Sequence, residues 1–110
     1  MIRLAVTVGE PAGIGPDICL ALARTPPADV ELTFIGDARL LADRAAALRL
    51  PVDIPSGAGR GPGAPRMLQV DLPQPPPPGR PDPANALALL EGLDQAVAGC
   101  LAGRFDALVT

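Results

Sequence analysis

The run VGEPAGIGPD at 8–17 is the part of the sequence whose residue types and spacing best suit chemistry. Gly9, Gly13 and Gly15 give the backbone freedom for a sharp strand-to-helix turn and let a ligand approach the main chain. The N–H groups at the start of the helix that follows can bind an anion such as a phosphate. Glu10 is the only carboxylate inside the loop. It can serve as an acid, a base or a metal ligand, or it can hold the loop by hydrogen bonds to backbone N–H groups. The glycines do not fall as G-x-G-x-x-G, and no G-K-S/T follows, so the run is neither a dinucleotide fingerprint nor a P-loop. The competing reading is a tight turn whose glycines only relieve strain. Thr110, at the carboxyl end of an expected strand, is placed for contact with a substrate hydroxyl. Asp17 and Asp37 read as helix-start residues.

The rest of the inventory limits what these residues can do alone. The 110 residues carry a net charge of -3, every one of the nine basic residues is Arg, and there is no His, Lys, Trp or Tyr. Imidazole base catalysis, Schiff-base chemistry and a His-built metal site are therefore excluded within this chain. An acidic chain without Lys is also a poor electrostatic partner for nucleic acid. No run approaches the roughly 20 apolar residues of a membrane span. The short apolar start lacks the pattern of a signal peptide. A soluble cytoplasmic protein is expected. Cys19 and Cys100 form no C-x-x-C pair and read as small hydrophobes in helical stripes.

The elements that must position these residues alternate. Residues 2–8 are β-rich and apolar, as a strand covered on both faces should be. The glycine loop leads to a helix opening at Pro16 and ending near Arg24, with Ile18, Ala21 and Leu22 on one face. A second strand spans 30–35, and Asp37 caps a helix over 38–48 with Leu41, Ala45 and Leu48 as its stripe. Residues 67–71 suit a short strand. Asp82 and Pro83 open a third helix that runs to about Ala102. Its expected buried stripe is Ala86, Leu90, Leu93, Val97 and Cys100, with Glu91, Asp94 and Gln95 opposite. Gly103 ends it, and residues 105–110 begin another strand.

The fold class is α/β: an open, mostly parallel sheet with flanking helices and right-handed crossovers. The chain reads as one unit, 1–110, with a connecting segment at 51–83 that holds 11 Pro and 5 Gly among its 33 residues. That segment suits a pair of loops, one partly polyproline II, or a PxxP ligand for a partner. A final strand with no loop after it suggests the amino-terminal part of a larger protein. Such a part is expected to show an open sheet edge and bare apolar helix faces.

The run VTVGEPAGIGPD at 6–17 resembles the amino-terminal signature of the 4-hydroxythreonine-4-phosphate dehydrogenases of vitamin B6 (pyridoxine, pyridoxal phosphate) biosynthesis. FIGDARLL at 34–41, PANA at 83–86 and GRFDALVT at 103–110 resemble later parts of the same family in the same order. The start also resembles isocitrate and isopropylmalate dehydrogenases, but Pro11 and Ala12 and the later matches favour the first family. The resemblance implies the start of a two-domain α/β/α oxidoreductase, homodimeric and NAD-dependent. That family oxidises 4-phosphooxy-threonine with the help of a divalent metal, and the product then loses carbon dioxide. Its metal-binding histidines and basic phosphate ligands are expected downstream, so no catalytic or metal residue is carried over here and the chain alone is expected to be inactive. Glu10, Gly13, Gly15 and Pro16 are carried over as the loop beside the cleft, with Thr110 at a strand end. A paralogue acting on another four-carbon hydroxy-acid phosphate fits the same residues. A non-catalytic module that binds a partner through its Pro-rich run is the alternative of a different class.

Overall fold

A computed structural model describes residues 1–52, 54 and 64–110. The Gly-rich half of the connecting segment, residues 55–63, lies outside the described residues. Four strands and three helices alternate: β1 (Ile2–Thr7), α1 (Gly15–Arg24), β2 (Val30–Gly36), α2 (Ala38–Leu48), β3 (Arg66–Gln69), α3 (Ala86–Leu101) and β4 (Ala107–Val109). A single 3-10 turn, Pro83–Asn85, leads into α3, so that helix begins three residues later than the sequence suggests. The Asp82 carboxylate accepts from the Ala84 N–H at 2.9 Å and fixes this entry.

The strands form one parallel sheet in the order β3-β2-β1-β4. β1 pairs with β2 from Ile2 opposite Val30 to Thr7 opposite Ile35. It pairs with β4 over Leu4 to Val6. The chain thus moves outward from β1 to β3, then returns to the other side of β1. That reversal is a topological switch point, where the loops after β1 and β4 part to opposite faces and leave a crevice.

Strand alternation divides the core in two. Val6, Val8, Leu32 and Phe34 point to the face covered by α1 and α2, where Cys19, Leu20, Leu41 and Ala45 meet them. Ala5 and Ile35 point to the other face, with Val70, Ala96 and Phe105. The two Phe are central to these layers because the chain has no other aromatic residue. Both cysteines are free, Cys19 buried and Cys100 half-buried. Burial pushes the Cys19 thiol up to about 11, so it stays protonated and acts as a small hydrophobe.

Two helix faces differ from the sequence expectation. In α1 the buried residues are Pro16, Cys19 and Leu20, while Ile18 is exposed. In α3 the face on the sheet is Gly92, Ala96 and Gly99; Leu90, Leu93 and Val97 are exposed. The reason is steric. A Cβ on Gly99 would stand 2.5 Å from the ring of Phe105, so only a residue without one lets α3 lie this close to the sheet. The larger apolar residues of α3 have no room on that side. The connecting segment also gives more to the core than its composition suggests, since Met67, Val70 and Leu72 are all buried.

Candidate functional site

The carboxyl ends of β1, β2 and β4 open onto a cavity of about 450 Å³ beneath α3. Thr7, Thr110, Gly9, Glu10 and Asp37 line it, with Val70, Leu72, Leu89 and Leu93 as apolar wall. This is the place a parallel α/β sheet offers a ligand.

The two threonines are brought together by strand order. Thr7 is the last residue of β1, and Thr110 follows the last residue of β4. The Thr7 hydroxyl donates to the Thr110 hydroxyl at 2.9 Å. Its strand-end position marks Thr110 in the sequence alone. Thr7 ends the neighbouring strand, and only the pairing of β1 with β4 marks it.

The glycine loop is held by its own backbone and by Glu10. Gly9 has φ +77° and turns the chain out of β1. The Gly13 N–H donates to the Glu10 carbonyl at 3.0 Å, and the Ala12 N–H donates to the Glu10 carboxylate at 3.1 Å. Gly15 opens α1 where a Cβ would fall within 1.9 Å of the Val8 carbonyl oxygen. The helix start is therefore pressed against the end of the strand. The expected loop residues separate in space. Glu10 faces the large cavity with Thr110, while Gly13 and Pro16 border a second cavity of about 160 Å³. Gly15 lies between strand and helix and borders neither. Pro75, Pro76 and Pro78 also line the second cavity, and the Gly79 N–H donates to the Ala12 carbonyl at 2.8 Å. The Pro-rich run is thus strapped onto the glycine loop.

Asp37 does more than cap α2. Its buried carboxylate accepts from the Arg39 N–H and the Gln69 amide, each at 2.9 Å. It also accepts from the Leu72 N–H at 2.9 Å and from the Arg39 guanidinium at 2.7 Å. Burial pushes this carboxyl up, but the Arg39 guanidinium and these N–H donors outweigh it and hold it well below the usual carboxylate range. Asp37 therefore ties the end of β2 to the chain leaving β3. Asp17 has a similar partner in Arg44, at 2.6 and 3.0 Å, which lowers its carboxyl and clamps α1 to α2.

These residues do not fit a metal. Among the described residues no group of three His, Cys, Asp or Glu side chains is placed to hold one. The two carboxylates at the cavity, Glu10 and Asp37, are engaged by the donors just named. Among the described residues no basic side chain lines the cavity, and the nearby Arg39 guanidinium is engaged by Asp37. The arrangement supplies two hydroxyls, one loop and an apolar wall, which suits one side of a site.

No protein-family model matches the chain. It is 46% identical, over 98% of its length, to a 4-hydroxythreonine-4-phosphate dehydrogenase of Thioalkalivibrio sulfidiphilus, and it covers 34% of that protein. The chain spans about a third of the length of the curated relatives it matches. Among solved structures it resembles a 4-hydroxythreonine-4-phosphate dehydrogenase from Klebsiella pneumoniae with a TM-score of 0.85 at 25% identity, over 98% of this chain and 36% of that one. It also resembles a terephthalate 1,2-cis-dihydrodiol dehydrogenase from Burkholderia xenovorans with a TM-score of 0.75 at 25% identity, over 97% of this chain and 32% of that one.

Proposed function

We propose that this chain, similar along nearly its whole length to the amino-terminal portion of the 4-hydroxythreonine-4-phosphate dehydrogenases, forms one wall of the active cleft of such an enzyme. The observation that carries the reading is the cavity at the switch point, bordered by the signature loop and by the paired Thr7 and Thr110. In this reading Thr7 and Thr110 orient a polar group of the substrate or cofactor, and the glycine loop shapes the floor. The metal, the NAD and the substrate phosphate are held by residues of the remaining two thirds. A divalent metal held by those residues would supply Lewis-acid polarisation of the hydroxyl that is oxidised. The complete protein is a homodimer that works in the cytoplasm.

The test compares the isolated chain with a fusion in which it replaces the matching third of the Thioalkalivibrio sulfidiphilus relative. Both are assayed with NAD, a divalent metal and 4-phosphooxy-threonine. Turnover by the fusion and none by the isolated chain is expected. Turnover by the isolated chain overturns the assignment of the metal and phosphate ligands elsewhere.

A second substrate class has one observation in its favour, the likeness to the terephthalate dihydrodiol dehydrogenase. Among the described residues that line the cavity none is basic, so this lining does not itself favour a phosphorylated substrate. The fusion assayed with a non-phosphorylated cis-dihydrodiol separates the two. Membership as a partner-binding module is weaker, because Gly79, next to the Pro run, already engages the chain's own loop.

A further inference from the structure

Among the described residues only Asp37 and Asn85 are buried polar side chains. Asn85 is 1% exposed, borders neither of the two cavities, and makes no side-chain cap to α3, whose entry Asp82 already fixes. Both ends of its amide are turned on one residue of the connecting segment. The Asn85 amide oxygen accepts from the Gln74 N–H at 3.1 Å, and its amide nitrogen donates to the Gln74 carbonyl at 2.6 Å. Gln74 is thereby held at both backbone groups, as in a strand pair. Residues 75–78 follow and are all Pro. Proline fixes φ and carries no N–H, so this run is stiff and makes no ladder of its own. Gly79 ends it with φ +81° and donates to the Ala12 carbonyl at 2.8 Å. Ala12 is the residue whose own N–H holds the Glu10 carboxylate, and Glu10 lines the large cavity.

We propose that Asn85 is a positioning residue for the glycine loop: by gripping Gln74 it uses the stiff Pro run to hold Ala12, and through Ala12 the Glu10 carboxylate at the cavity. The inference rests on the reading of that cavity as one wall of a dehydrogenase cleft. Stiffness lets the grip act at a distance. A Gly/Ser run of the same length would leave Gly79 free to wander whatever Asn85 held. Such ordering acts on binding more than on chemistry. A loop that is in shape for only part of the time lowers apparent affinity by that fraction, and the bound ligand then restores the shape. Loss of the grip therefore raises KM and leaves kcat nearly unchanged. Loss of folded protein does the reverse, lowering kcat at constant KM.

The experiment compares Asn85→Ala, Gly79→Ala and Asp82→Ala with the parent, first by amide hydrogen exchange in the isolated chain. Gly79→Ala acts at the far end of the strap, where an added Cβ meets no atom within 4 Å but the positive φ no longer suits the residue. Asp82→Ala removes the cap of the same turn and leaves the grip on Gln74, so it controls for general loosening. Asn85→Ala and Gly79→Ala are each expected to speed exchange at Ala12 and Gly13 by about tenfold beyond any change at Leu32, in the middle of β2. Asp82→Ala is expected to show no such excess. In the fusion, both strap variants are expected to raise KM for 4-phosphooxy-threonine or NAD about fivefold with kcat within about twofold. The double variant is expected to be no worse than the worse single one, because both break the same link. Exchange at Ala12 and Gly13 that changes no more than at Leu32 overturns the proposal. So does a fall in kcat at constant KM, or a double variant whose effects on KM multiply. If the exchange pattern holds while the parent fusion has no turnover, the grip on the loop stands and the dehydrogenase reading falls.

Discussion

Thr7 and Thr110 lie 103 positions apart in the chain and share a hydroxyl–hydroxyl hydrogen bond of 2.9 Å. Their contact marks the point where the sheet reverses its order, with β1 on one side and β4 on the other. An exposed pair of neutral hydroxyls adds little to stability, on the order of 0.5–1 kcal/mol. Thr7→Val should therefore leave the urea midpoint nearly unchanged. In the fusion it should lower kcat/KM about tenfold or more, about 1.4 kcal/mol of transition-state stabilisation. A drop in the midpoint with unchanged kcat/KM would make the pair structural only.

Gly15→Ala should be costly. The added methyl meets the Val8 carbonyl at the junction of β1 and α1, where neither backbone can yield freely. A loss of at least about 2 kcal/mol is expected in denaturant unfolding. Gly13→Ala meets the Glu10 carbonyl only at 3.3 Å and should cost clearly less.

Two glycines of α3 should respond in opposite directions. At Gly92 a methyl would find ordinary contact, 3.5 Å from Ile35, so Gly92→Ala should be neutral or stabilise by up to about 1 kcal/mol through helix propensity. At Gly99 it would strike the Phe105 ring, and Gly99→Ala should destabilise by about 1–3 kcal/mol. Thermal melts of the two variants beside the parent decide this.

Asp37 should make stability acid-sensitive. Its carboxyl is held low in the folded state and returns to about 3.9 on unfolding. A depressed folded pKa stabilises the fold above the unfolded value, and that contribution fades as pH falls below about 4 toward the folded value. Asp37→Asn should flatten this part of the pH profile. Asp37→Ala, which strands the Leu72 N–H, should cost about 2–3 kcal/mol at neutral pH. An unchanged acid limb in Asp37→Asn would assign the effect to Asp17, whose carboxyl is lowered by Arg44.

Much of this molecule is readable without coordinates. Glycine, proline and capping aspartates punctuate the chain, and apolar runs fill the intervals, so the order of elements and most of their ends follow from local chemistry. Asp37, Asp82 and the loop around Gly9 and Gly15 each show in sequence where a strand or helix must turn. The loop's place beside the cavity follows from the parallel sheet itself. Two things required the tertiary structure. Periodicity groups Leu90, Leu93 and Val97 on one side of α3, but a helix with only two charged residues does not say which side meets the sheet. Close approach decided it, because Gly92, Ala96 and Gly99 let the helix settle against β1, β2 and Phe105, and the bulky residues were left outside. The meeting of Thr7 with Thr110 likewise depends on β4 pairing with β1 and not with β3. No local pattern encodes that neighbour; it is set by which faces the crossovers take and which edge remains free to pair.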